Sequence, residues 1–267
     1  MNIIQLFALA VTLTSLATQA LADKPPNIVL ILADDMGLGD VSCYGTGGQV
    51  KTPHLDKLAS EGRRFLDAHT PSGVCTPTRY GLLTGRYAWR TRLKSRVLQG
   101  YSPPLIAPDR ETVASLLRAE GYATGIIGKW HLGHLPQFLP TNNGFDSYYG
   151  IPYSNDMDRV KDAPRGKDSF WKPKVEYWNV PLLRNEKEEE RPANQHNITR
   201  RFGEEGVKFI NQNAGKKRFF LYLAHSLPHV PLFRSKKFAG VSKAGLYGDV
   251  IEEIDWTVGQ VLGALKK

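Results

Sequence analysis

Residues 27–33 (NIVLILA) form a continuous apolar run. A strand buried on one face alternates polar and apolar positions. An unbroken run marks burial on both faces, as in a parallel sheet covered by helices. Residues 123–127 (ATGII) and 219–223 (FFLYL) read as further strands of that kind. Between them the period changes to that of helices. Residues 55–61 look helical and stop at Gly62. Residues 111–120 place apolar side chains at 113, 116 and 117 and end at Gly121. Residues 195–213 read as a helix feeding the strand at 219–223, and Ile251, Ile254, Val258, Val261, Leu262 and Leu265 mark one face of a long helix over 252–266. Helices alternating with buried strands predict an α/β fold, a largely parallel sheet flanked by helices on both faces. Residues 152–195, rich in proline and charge, read as an excursion over the surface.

The N-terminal apolar run differs from these. Residues 6–17 (LFALAVTLTSLA) precede Ala20-Leu21-Ala22, which matches the small-x-small rule for signal cleavage before Asp23. Thr12, Thr14, Ser15, Thr18 and Gln19 make the run a poor membrane span, and no later run is long enough to cross a bilayer. The expectation is a signal peptide over 1–22 and an exported chain over 23–267. Its compartment would be the periplasm, the exterior or a lysosome-type organelle, according to the host.

Composition narrows the partners. At 267 residues, 41% hydrophobic and 23% charged, the chain is neither disordered nor collagen-like. Lys and Arg total 35 against 26 acids, a net +9 that favours anionic ligands. Five of the cations crowd into 86–96 (RYAWRTRLKSR), which reads as a solvated helix and loop; no nucleic-acid module accompanies them. Two cysteines, Cys43 and Cys75, are too few for a disulfide framework, though they leave open a pairing with each other. Asn197-Ile198-Thr199 is a glycosylation sequon in a host that glycosylates exported proteins.

Candidate chemistry gathers after the strands, where ligands bind in open parallel sheets. Asp34 and Asp35 follow the first strand and precede Gly37 and Gly39, a turn that either caps a helix or presents two carboxylates to one hard cation. In Cys75-Thr76-Pro77-Thr78-Arg79 the proline suits the first turn of a helix. Cys75 then sits at the helix N-terminus, with Arg79 one turn on. A buried structural thiol is the alternative. Lys129 and His131, two apart in an extended segment, project to one face. His225 and His229 have the spacing of a helical zinc pair, but Pro228 and Pro231 argue against a helix there.

Residues 27–45 (NIVLILADDMGLGDVSCYG), 75–86 (CTPTRYGLLTGR) and 128–133 (GKWHLG) closely resemble the type I sulfatases of the alkaline-phosphatase-like superfamily. The arylsulfatase-A-like and N-acetylgalactosamine-6-sulfatase-like members are the nearest. The resemblance runs from about Pro26 to the C-terminal end. It implies that a formylglycine-generating enzyme converts Cys75, within C-x-P-x-R, to 3-oxoalanine (formylglycine), whose aldehyde hydrates to a diol able to expel sulfate. By the same matching, Asp34, Asp35 and the modified Cys75 hold a calcium ion, and Arg79 stabilises the diol. Lys129 contacts sulfate and diol, and His131 takes the second hydroxyl's proton. His229 contacts sulfate and protonates the leaving oxygen, and Ser154 contacts sulfate. His134 has no matched role. The implied substrates are sulfate esters, sulfated carbohydrates above all, with aryl sulfates as surrogates.

Here the family pattern breaks. In the family, the helix that ends this chain is followed by a strand and an Asp-Asn-Gly segment supplying two more metal ligands, then by a sulfate-binding lysine; no Asp-Asn-Gly occurs in this sequence. The expectation is therefore the N-terminal portion of a sulfatase catalytic domain, incomplete at its C-terminus, with weak calcium binding. The rivals are a phosphonate or phosphate ester hydrolase of the same superfamily and an inactive anion-binding fragment. Lys129-Trp130-His131-Leu132-Gly133 favours sulfate.

Overall fold

The computed structural model describes residues 25–45 and 48–267, so the signal-peptide expectation over 1–22 lies outside the described residues. The apolar runs form the centre of a six-stranded sheet. In chain order the strands are β1 (Ile28–Asp34), β2 (Ala123–Lys129), β3 (Ser147–Ile151), β4 (Leu182–Arg184), β5 (Lys187–Glu190) and β6 (Phe219–Pro228). Their spatial order is β1-β6-β2-β3-β4-β5. The first four neighbours pair in parallel, and β4 and β5 add antiparallel pairs at one side. The helices are α1 (Pro53–Glu61), α2 (Cys75–Thr84), α3 (Val113–Ala119), α4 (Lys167–Trp171), α5 (Ile198–Asn213) and α6 (Gly245–Leu265).

Both faces of the parallel part are covered, as the unbroken runs require. Ile127, Leu221 and Leu223 pack with Phe202 and Ile210 of α5 and Ile254 and Val261 of α6. Ile126, Phe220 and Tyr222 face the other way, onto Tyr80 and Leu83 of α2 and Ala114 of α3. Alternate residues of one strand thus feed two cores. At the carboxyl ends the strands crowd together. Gly128 has φ +120°, and a Cβ there would lie 1.8 Å from the Ala224 carbonyl oxygen; one at Gly150 would lie 1.8 Å from the oxygen of Gly128. Only glycine lets β6, β2 and β3 approach this closely.

The surface excursion expected over 152–195 is corrected in part. Residues 182–190 fold back as a hairpin that extends the sheet from β3. Its two-residue turn puts Asn185 at φ 54°, a conformation asparagine tolerates and hairpins favour. The Asn185 side chain accepts from Tyr148 N at 2.9 Å. Arg184 then donates to both carboxylate oxygens of Glu205 on α5, each at 3.0 Å, tying the hairpin to the helix layer.

Helix α1 begins with Pro53 and has no side-chain cap from Thr52. Its free N–H groups are satisfied from α6. Asp255 accepts from Leu55 N at 2.8 Å and from His54 N at 3.1 Å. Asp255→Ala is expected to cost about 1–2 kcal/mol, the usual price of a lost N-cap. That is a fall of roughly 2–8 °C in Tm for a domain of this size. Asp255→Asn, which keeps an acceptor, should lose less. An unchanged Tm for the alanine variant in a thermal melt would refute this account of α1.

Candidate active site

Four adjacent parallel strands deliver their carboxyl ends to one place. β1 ends at Asp34, followed by Asp35 at φ 68°; β2 ends at Lys129; β3 leads through Pro152 to Ser154; and β6 leads to His229. Against them α2 presents its first residue, Cys75, with Val74 as an extended N-cap. A cavity of about 200 Å³ is lined by Asp34, Asp35, Cys75, Thr78 and Arg79 among others.

Buried charge organises the floor of this site. Lys129 is 0% exposed and Arg79 1%. The Lys129 ammonium donates to Asp34 Oδ2 and, at 3.0 Å, to Ser154 Oγ. Arg79 donates through Nη1 to the Lys129 carbonyl at 2.5 Å, and its Nη2 lies 3.6 Å from Asp34 Oδ2. Burial works to raise the Asp34 carboxyl, but Lys129 and Arg79 outweigh it and hold the group below the usual carboxylate range. One carboxylate thus balances two buried cations, an arrangement with net positive charge that favours an anion. Burial, helped by Asp34 and opposed by Lys129 and Arg79, pushes the Cys75 thiol up. At neutral pH residue 75 is therefore a protonated thiol, a poor nucleophile as cysteine. Cys43 and Cys75 are both free, which closes the pairing left open above.

A match to the Sulfatase family spans residues 26–267. The chain belongs to the sulfatase family. It is 38% identical over 262 residues to N-acetylgalactosamine-6-sulfatase of Sus scrofa, covering 92% of this chain and 48% of that protein. It is 38% identical over 265 residues to human arylsulfatase A, covering 95% and 51%. The chain thus spans about half the length of these curated relatives. Among solved structures, Ps i-CgsB in complex with k-i-k-neocarrahexaose superposes with a TM-score of 0.75 at 32% identity, over 91% of this chain and 55% of that one. The phosphonate monoester hydrolase of Agrobacterium radiobacter, at 18% identity and a TM-score of 0.60 over 91% and 59%, shares the fold alone.

In this sulfatase chain Asp34, Asp35, Cys75, Arg79, Lys129 and Ser154 come together as described. His229 joins them through Asp35: its Nδ1 donates to the Val230 carbonyl at 2.6 Å, and its Nε2 lies 3.8 Å from Asp35 Oδ2. The extended geometry expected for Lys129 and His131 is corrected, because His131 has φ 61°. The bend sends its Nε2–H to the Leu98 carbonyl at 2.9 Å, while Nδ1 is buried without a hydrogen-bond partner. Burial, with Lys129 and Arg79 adding to it, pushes His131 well below the usual histidine range, so the ring is neutral with a free lone pair on Nδ1. His225 does not pair with His229. Its Nε2 lies 3.1 Å from Thr257 Oγ1 of α6, and burial pushes it down to about 4. His134 packs edge-on to the Tyr153 ring and takes no part.

Among the described residues no three His, Cys, Asp or Glu side chains converge as a metal-binding group. Asp34 and Asp35 nevertheless supply hard anionic oxygens at the cavity wall. The Asp35 side chain is 57% exposed and carries only the His229 contact as an ion pair among the described residues. This donor chemistry suits calcium, although the pair fills only part of a shell of six to eight oxygens. The sequence reading missed Asn155 and Gln195. The Asn155 amide donates to Gln195 Oε1 and to the Pro231 carbonyl, each at 3.1 Å, tying the Ser154 loop to the loop that carries His229. No periodicity or motif marks such a pair.

Proposed function

We propose that the protein carrying this chain hydrolyses sulfate esters of carbohydrates through a formylglycine made from Cys75, with calcium held by Asp34 and Asp35. What carries the reading is the single buried carboxylate, Asp34, set between Lys129 and Arg79 beside Cys75. Such an excess of fixed cationic charge in a water-poor site stabilises a sulfate group and the charge that grows on it. The relatives' names and the carbohydrate in the Ps i-CgsB complex support a sulfated sugar as substrate.

Each residue then has a task. Once converted by a formylglycine-generating enzyme and hydrated, residue 75 supplies an attacking oxygen and a second hydroxyl. Calcium, when bound, polarises a sulfate oxygen. Lys129 and Ser154, hydrogen-bonded to each other, would supply a cation and a hydroxyl to the sulfate oxygens. Arg79 fixes the Lys129 backbone and adds charge. His131, neutral at its Nδ1, takes a proton, and His229, facing the open side through Nε2, gives one to the leaving oxygen. Residues 6–22 support export, and no helix among the described residues is long and apolar enough to cross a membrane.

The test is chemical. The full-length gene product, co-expressed with a formylglycine-generating enzyme, should yield a tryptic peptide around residue 75 about 18 Da light, the thiol-to-aldehyde difference. It should turn over 4-nitrophenyl sulfate in preference to 4-nitrophenyl phosphate or phosphonates. An unmodified thiol despite an active maturing enzyme would remove the mechanism. Preference for phosphorus esters would move the protein to the rival activity.

A further inference from the structure

The site leaves the cationic stretch after α2 unused. From residue 68 to residue 108 the sequence contains no Asp or Glu. Within it Arg90, Arg92, Lys94 and Arg96 are exposed. Two large aromatic side chains stand among them: Tyr87 is 52% and Trp89 58% exposed. Their rings stack at 5.6 Å between centroids and 16° between planes, and Lys94 Nζ donates to the Trp89 carbonyl at 2.7 Å. Arg92 donates to the Pro104 carbonyl at 3.1 Å, but no carboxylate offsets the mutual repulsion of these charges around rings left in water.

The stretch is fastened to the catalytic pocket at its far end. Leu98 N donates to Thr76 Oγ1, beside Cys75, at 3.2 Å, and the Leu98 carbonyl receives His131 Nε2–H at 2.9 Å. Arg96 is two residues earlier, within about 7 Å of Leu98 along the chain. The cations therefore precede, in the chain, a residue bonded to both Thr76 and His131, with the Tyr87–Trp89 pair at their other end.

We propose that residues 86–96 bind the sulfated polysaccharide chain that flanks the ester being cleaved. The inference rests on the sulfate-ester reading of the pocket and names the polymer as its substrate class. Sulfated sugars carry anionic groups at the spacing of a polymer and apolar ring faces between them. The first match the row of cations, and the second match the open face of an aromatic ring. Nucleic acid fits less well, since no nucleic-acid module accompanies these residues. Holding the chain beside the pocket raises the local concentration of esters there.

The experiment uses the full-length product and three variants, Trp89→Ala, Arg90→Ser and Arg96→Ser, none of them in the catalytic pocket. Affinity electrophoresis through gels containing a sulfated galactan, its desulfated counterpart or single-stranded DNA reads binding without turnover. Each variant should bind the sulfated galactan about tenfold more weakly, as expected for one lost contact of this kind. The arginine variants should also show a shallower salt dependence. The desulfated polymer should not retard the wild type, and kcat/KM for 4-nitrophenyl sulfate should stay within about twofold in all three variants. Wild-type retention by the variants overturns the proposal. So does an equal loss on polymer and small ester, or a Trp89→Ala loss as large on DNA as on the galactan. A wild type that binds the sulfated galactan yet cleaves no sulfate ester would overturn the catalytic reading and support the surface.

Discussion

Cys75→Ala is expected to lower sulfate-ester turnover by about 10⁴-fold or more, the scale of losing a nucleophile that other groups serve. The melting temperature should move by no more than about 4 °C, since one sulfur at a helix start contributes on the order of 1 kcal/mol. Cys75→Ser should be equally inactive where only the cysteine-type maturing enzyme operates, although a hydroxyl is sterically mild there. The serine variant is the sharper test. Burial keeps the thiol protonated and cysteine itself a poor nucleophile, and an active serine enzyme unprocessed at residue 75 would show that an ordinary hydroxyl suffices. Steady-state kinetics beside the peptide mass separate these cases.

The second large effect is on stability. Asp34→Ala leaves Lys129 and Arg79, both buried, facing each other without a counter-charge. Removing one partner of such a group costs about 3–5 kcal/mol. Lys129→Met should cost less, because Arg79 remains 3.6 Å from Asp34. The double variant Asp34→Ala/Lys129→Met should be more stable than Asp34→Ala alone, as one of the two orphaned cations is gone. Urea unfolding in the presence of a chelator measures all four proteins without interference from calcium. A loss within about 1 kcal/mol for Asp34→Ala would mean that the buried cluster is hydrated rather than closed.

Asp34, Lys129 and His229 were legible in the sequence because they follow apolar runs, whereas Cys75 and Arg79 came from a helix-start motif. β1, β2 and β6 are apolar on both faces, so composition alone marks them, and their carboxyl ends point to Asp34, Lys129 and His229. β3, β4 and β5 escaped for different reasons. Ser147–Ile151 (SYYGI) contains too few aliphatic residues to stand out. Lys187–Glu190 (KEEE) has no apolar residue at all and is a strand only because Leu182–Arg184 pairs with it. Its charges suit an edge, where they oppose pairing with another chain. At the site, residue types carried the signal and backbone conformation did not. Nothing in Lys129-Trp130-His131 announces the left-handed turn at His131 that sends its Nε2 to Leu98. The Asn155–Gln195 pair and the Asp255 cap were invisible because their members lie far apart in sequence. Only the folded chain brings them within reach.

The pairing of β1 with β6 also sets a clock. Phe220 lies beside Ile28, so the first strand to be made waits for a partner more than 190 residues behind it. At roughly 5–20 residues per second, the ribosome needs about 10–40 s to supply that partner. Throughout that interval residues 28–34 have an unbroken apolar surface and no native neighbour in β6. A nascent chain in this condition stays unfolded, the state that the export proposed above requires. The sheet order that gathers these residues around Cys75 therefore also delays the moment at which the chain can close.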